Sequence, residues 1–102
     1  MNGLDLLNLV VAHYKDKAEA ESLQKLKNEM SALIEAEAET RREKAASIII
    51  KKAKLEISLQ KFQATYNMLK TKCGEIKALD DYILEVKSEI ARLSYKKNNH
   101  QI

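Results

Sequence analysis

The sequence predicts an all-α protein of long helices, forming a coiled coil or an elongated helical bundle. Three observations carry that expectation. The 102 residues contain no proline and only two glycines, Gly3 and Gly74. The turns of an all-β sandwich or barrel draw on Gly, Pro, Asn and Asp, and a nucleotide-binding α/β fold needs clustered glycines for its phosphate loop, so the composition nearly rules out the first class and argues against the second. Apolar residues recur at alternating steps of 4 and 3 from Ile34 to Ile76, the period of a helix that buries one stripe. Composition agrees: 45% of residues are apolar, enough to form a core, and 32% are charged, as expected of helices with broad solvated faces. The length suits one domain, taken as residues 1–102.

The first element, residues 4–14, is apolar nearly all round, with Leu4, Leu7, Val11 and Tyr14 on one stripe that Ala18 continues. Such a helix is unstable as an exposed surface element. It calls for burial in the bundle, pairing with a copy, or docking on another protein, and docking is the preferred expectation. A secretory signal does not fit, because no basic residue precedes the apolar run and Asp5 and Asn8 interrupt it. An anchor on a membrane surface would carry a basic polar face, which is lacking here. No apolar run approaches the ~18–20 residues needed to cross a bilayer.

Leu23, Leu26, Met30 and Leu33 form the next stripe, out of phase with both neighbours. The long heptad then runs through Ile34, Ala38, Arg41, Ala45, Ile48, Lys52, Leu55, Leu59, Phe62, Tyr66, Leu69, Cys73 and Ile76, polar only at Arg41 and Lys52. Thr40-Arg41-Arg42-Glu43 has the spacing of a capping box. The surrounding Ala, Glu, Arg and Lys favour an unbroken helix instead, with Glu37 and Arg41 in the favourable i,i+4 order. One helix over about residues 4–73 is therefore expected, with residues 37–40 the place for any interruption. At 1.5 Å per residue it would be ~105 Å long. Gly74, preceded by Lys70 and Lys72, is the stop. Leu79, Ile83, Val86, Ile90 and Leu93 resume the pattern after a 3–3 step at Ile76. Asp80 and Asp81 are expected to cap a last helix over about 78–96, with a frayed tail at 97–102.

The middle segment carries two apolar rows. Ala46, Ile50, Ala53, Ile57, Ala64 and Met68 lie opposite the face of Ile48, Leu55, Phe62 and Leu69. A two-stranded coil buries one seam, whereas a helix apolar on both sides lies between neighbours. This segment should be the centre of a three- or four-helix arrangement, within one chain or between chains. The alternation over residues 55–59 and the β-branched Ile48-Ile49-Ile50 would also suit a short hairpin. The heptad runs through it, however, and no glycine or Asn-Gly turn serves it.

Charge is segregated. Residues 1–40 hold four lysines against eight acids, residues 41–72 hold nine cations against two acids, and residues 73–102 hold five of each. Acidic and basic thirds would sit side by side in a folded-back or antiparallel pairing. The basic third offers Arg41, Arg42, Lys44, Lys51, Lys52 and Lys54 as candidate nucleic-acid contacts, since clustered cations release counterions from phosphate. They are spread round the helix, and no recognised nucleic-acid module accompanies them.

The inventory for chemistry is poor. His13 and His100 stand at opposite ends, and no Glu-x-x-His pair of a di-iron bundle exists. Cys73 occupies a heptad core position without an adjacent base. Glu35, Glu37 and Glu39 read as solvated surface. No catalytic residue, metal or cofactor is expected, and a lone cysteine fits a reducing cytoplasm. The expected function is a non-enzymatic coiled-coil module for protein–protein interaction: an adaptor, assembly factor or inhibitor in a larger complex. Its partner is itself, as a homo-oligomer, or another protein, with no membrane. The interface is expected at Leu4, Leu7, Val11, Tyr14, Ile48, Ile50, Leu55, Ile57, Leu59, Phe62, Tyr66 and Leu69. A basic helical protein binding nucleic acid through residues 41–72 is the alternative, and a chaperone for a hydrophobic client the third reading.

Overall fold

Among the described residues four helices follow one another: α1 (Gly3–Tyr14), α2 (Ala20–Thr40), α3 (Ile48–Cys73) and α4 (Lys77–His100). The computed structural model describes residues 3–41 and 48–100, with the side chains of 95–100 excepted. Cross-helix contacts fix an up-and-down order. Gly3 at the start of α1 lies against Ile34 near the end of α2. Glu29 and Glu39 of α2 meet Thr65 and Lys54 of α3, so those two helices run antiparallel. Tyr66 of α3 meets Ile76, and Lys70 meets Asp80 of α4. The α2–α3 packing is the most extensive, and α1 closes the ring against α2 and α4. The molecule measures 52 × 22 × 22 Å. It is a bundle of packed helices rather than an extended coiled coil.

The expected continuous helix over 4–73 is thus corrected at two places. The chain turns at residues 15–19, where Lys15, Asp16, Lys17 and Glu19 are exposed, and Lys17 and Ala18 donate their N–H groups to the Tyr14 carbonyl at 3.1 and 3.0 Å. No glycine or proline marks this turn. Tertiary burial overrides local helix propensity there, because only a reversal lets the apolar α1 pack along α2 and α4. The second end is Thr40, where α2 stops with Arg41 as its C-cap. The Thr40 hydroxyl donates to the Glu37 carbonyl at 2.6 Å, closing a helix end instead of opening a new one. Arg42 and Glu43 of the expected capping box, with Lys44, Ala45 and Ala46, lie outside the described residues.

Gly74 ends α3 as expected. Its φ of +95° lies in the left-handed region that glycine adopts without strain, and its N–H reaches the Lys70 carbonyl at 3.0 Å. The last helix starts earlier than Asp80 and Asp81 suggested: the Ile76 carbonyl accepts from Leu79 and Asp80, so Asp80 stands within the first turn, where a carboxylate favours the helix dipole. It also runs past residue 96, to His100.

The core is one cluster drawn from all four helices. Its fully enclosed members include Val10 and Tyr14 of α1, Leu26, Met30 and Leu33 of α2, Leu55, Phe62 and Tyr66 of α3, and Leu79 and Val86 of α4. The seam of α3 and the stripe of α4 are used as their spacing suggested. On α1 the buried stripe is Leu6, Val10 and Tyr14, while Leu4 is exposed and Leu7 and Val11 are half-buried. A helix apolar all round does not set its own rotation. Here Tyr14 sets it, through its ring in the core and its hydroxyl on the Gly74 carbonyl at 2.8 Å.

Tyr66 completes the same junction: its hydroxyl donates to the Ile76 carbonyl at 3.2 Å and accepts the Ile76 N–H at 3.0 Å. Cys73 adds a thiol contact of 3.2 Å to the Lys17 carbonyl, linking the two turns at this end. Burial pushes both phenols up to about 12, Tyr14 further raised by Cys73 and Asp80, Tyr66 by Asp80 against the opposing Ile76 hydrogen bond. Tyr66→Phe should lower the urea unfolding free energy by ~1–3 kcal/mol, because it strands a buried N–H, and Tyr14→Phe by ~0.5–1.5 kcal/mol. In both phenols the folded state holds its proton above the ordinary value of 10, so stability is full below pH 10 and declines as pH rises towards about 12. Urea midpoints measured across that window should fall in the wild type and fall less steeply in the double phenylalanine variant.

Candidate interaction surface

The side of α3 that faces away from the core carries an apolar row among exposed polar residues such as Lys54, Gln60, Lys61 and Asn67. Ile57 is 53% exposed, Ile50 48% and Met68 41%, with Ala53 and Ala64 exposed between them. The two-sided pattern read from the sequence is real, and the four helices of one chain bury only one of its sides. Both neighbours of α3 in the ring, α2 and α4, pack toward its inner half, so a helix in this position always presents an outer row.

Beside that row the α2–α3 seam opens into a shallow groove. One hollow of about 300 Å³ is floored by Ala32, Ala36 and Ser58 and edged by Ile57. A second, of about 230 Å³, continues along Ala32, Ile57 and Ser58 towards Lys61. The groove exists because small side chains meet where two helices diverge at their outer edge. Its rims differ in sign: Glu35 and Glu39 stand on α2, Lys54 and Lys61 on α3. Lys54 spans the groove to Glu39 at 3.5 Å. Sequence reasoning did not single out Ala32, Ala36 or Ser58; the i,i+4 spacing of the two alanines was the available signal.

The remaining residues expected at an interface are distributed otherwise. Leu55, Leu59, Phe62, Tyr66 and Leu69 lie in the core of the chain itself, as does Tyr14, so they are buried without a second molecule. Ile48 and Leu7 are half-buried against that core, Val11 is half-buried, and Leu4 is exposed at 64%. Only Ile50 and Ile57 of that set share the outer surface. The cations proposed for nucleic acid do not converge. Lys51 is buried, Lys52 pairs with Glu56 at 3.2 Å, Lys54 pairs with Glu39, and Arg41 is exposed and paired with Glu37 at 3.3 Å. Arg42 and Lys44 lie outside the described residues.

A second polar cluster sits at the far end of the bundle, where Glu37 and Thr40 of α2 face α4. Thr40 approaches Glu89 at 3.4 Å, and Glu89 is held by Arg92. The Tyr82 hydroxyl is buried there without a hydrogen-bond partner, and burial raises its pKa, with the nearby Glu37 carboxylate adding to the effect. Burial also raises Glu37 above the usual carboxylate range; Arg41 opposes this and Glu85 and Glu89 add to it. The Arg92 hydrogen bond lowers Glu89. These groups form no convergent ligand set: among the described residues no group of three His, Cys, Asp or Glu could hold a metal ion. No helix there is long and apolar enough to cross a membrane. No protein-family model, curated protein or solved structure matches the chain.

The shift at Glu37 has a sign that can be checked. Its folded pKa exceeds its unfolded one, so its stabilising contribution is present below the unfolded value and lost as pH rises through the folded one. At neutral pH the half-buried carboxylate is a burden, and Arg41, 71% exposed, offsets little of it. Glu37→Gln should raise Tm by about 2–4 °C at pH 7. The gain should vanish as pH falls through the carboxylate range, which melts followed by circular dichroism at stepped pH will record.

Proposed function

We propose that this chain is a non-enzymatic protein-interaction module, an adaptor, assembly factor or inhibitor within a larger complex, and that it binds through the outer face of α3. The observation that carries the reading is the exposed row of Ile57, Ala64 and Met68, continued by Ile50 and Ala53, beside the α2–α3 groove. Single exposed apolar residues are ordinary, but a row of them along one helix, broken here only at the turn of Gln60 and Lys61, is a feature of association sites. An amphipathic helix laid along a groove of this kind is a recurring mode of recognition. The α1 helix, first expected to dock elsewhere, supports the reading less, because Leu6, Val10 and Tyr14 are used internally.

Nucleic-acid binding through residues 41–72 has weaker support. Its lysines diverge around α3, and two of them already pair with Glu39 and Glu56. A chaperone for a hydrophobic client would use the same apolar row, and differs in the partner being unfolded.

Ile57→Glu with Met68→Glu is the test. Both positions are exposed, so the melting temperature should stay within about 3 °C of wild type, as surface substitutions cost little. Association with protein, of itself or of another kind, should be lost when wild type and variant are compared by cross-linking in native extract. Association that persists in the variant, or a wild type that associates with nothing, would sink the reading.

A further inference from the structure

We propose that the occupant of the α2–α3 surface is a second copy of this chain, related by a two-fold axis that runs along the groove, parallel to the bundle. The inference rests on the interaction reading above and names its partner.

A two-fold dimer requires a surface complementary to itself. This surface has that property in its charge, and the exposed Lys54–Glu39 pair that spans the groove within one chain at 3.5 Å is exchanged for two such pairs between copies. Glu35 and Glu39 form the α2 rim of the groove, and Lys54 and Lys61 form the α3 rim. Rotation about an axis along the groove exchanges the rims: the acidic α2 of one copy meets the basic α3 of the other, twice. Within the chain α2 and α3 are antiparallel, and this rotation preserves helix direction, so the helices that meet across the interface are antiparallel too. A two-fold axis perpendicular to the helices would instead set α3 on α3 and α2 on α2. Lysines would then face lysines and glutamates face glutamates, which opposes association.

The apolar contribution follows the same geometry. Ile57 edges the hollow of about 300 Å³ whose floor is Ala32, Ala36 and Ser58. Rotation about the groove brings Ile57 of the second copy over that floor, a large side chain into a recess made by small ones, as knobs enter holes between paired helices. Ile50 and Met68 flank the axis above and below. From residue 50 to residue 68 the strip is ~27 Å long, and at the ~20 Å width of two helices it covers ~500 Å² per copy. A total near 1,000 Å² is the lower bound of a specific interface, so the dimer should be weak and its population concentration-dependent.

Light scattering on the full chain across a concentration series, at low and at about 0.5 M salt, tests this. The mass should rise from monomer to dimer with concentration, and salt should weaken the dimer. Lys54→Glu with Lys61→Glu, and separately Glu35→Lys with Glu39→Lys, should each weaken self-association at least tenfold. An equimolar mixture of the two should recover a dimer, and Ile57→Glu should abolish it in every combination. The recovery in the mixture also establishes that both variants fold. A dimer indifferent to either charge reversal, or one that survives Ile57→Glu, overturns the arrangement. A wild type that stays monomeric throughout overturns the second copy as occupant. If that monomer still captures another protein in a manner dependent on Ile57 and Met68, the interaction reading stands without it; if it captures none, both fall.

Discussion

Two buried tyrosine hydroxyls hold the turn between α3 and α4, and the order of the whole bundle follows from them. Tyr66 bonds both backbone groups of Ile76, the residue just before α4, and Tyr14 reaches from the end of α1 to the carbonyl of Gly74. Buried backbone groups at helix ends need partners, and here those partners come from other helices instead of from capping side chains. The same contacts that complete the helix ends therefore also bring α1, α3 and α4 to one point. Cys73, on the Lys17 carbonyl, draws in the turn that leads to α2. Lys70 reinforces the junction, lying 5.7 Å from the centre of the Tyr66 ring and 3.5 Å from Asp80.

The opposite end is built differently. α1 has 12 residues against 26 in α3, so its ~18 Å ends well short and the far part of the bundle packs only α2, α3 and α4. Polar groups crowd that part: the buried Tyr82 hydroxyl, the half-buried Glu37, and the Glu89–Arg92 pair. A buried hydroxyl without a partner costs on the order of 1–3 kcal/mol. One end of the molecule is thus closed by satisfied hydrogen bonds and four-helix packing, and the other carries a half-buried carboxylate and an unpartnered hydroxyl within three-helix packing. Local opening should begin at the second.

The outer surface is a consequence of this architecture. A four-helix ring leaves each helix an outward stripe, and on α2 and α4 that stripe is mostly polar. On α3 it also carries an apolar row, which lies beside a groove whose rims carry opposite charge. The charge segregation along the chain, acidic over residues 1–40 and basic over 41–72, becomes a lateral asymmetry once α2 and α3 lie side by side. That conversion, from a gradient along the sequence to two rims across a groove, is what the proposed self-association rests on.

Residue spacing by itself determined the helical class, the inward stripes of α2, α3 and α4, the stop at Gly74 and the two-sidedness of α3, because each depends on local periodicity or on one glycine's backbone freedom. Tertiary structure alone decided the rest. The turn at residues 15–19 carries no breaking residue, and it forms because α1 gains more by packing than by continuing. The rotation of α1 was open, since a helix apolar all round has no preferred face until Tyr14 finds Gly74. The interface residues first sought on the strong heptad went into the core, and the weaker opposite row was left outside. Periodicity identifies what a helix must hide, but which neighbour hides it, and which face goes uncovered, depends on where the chain reverses.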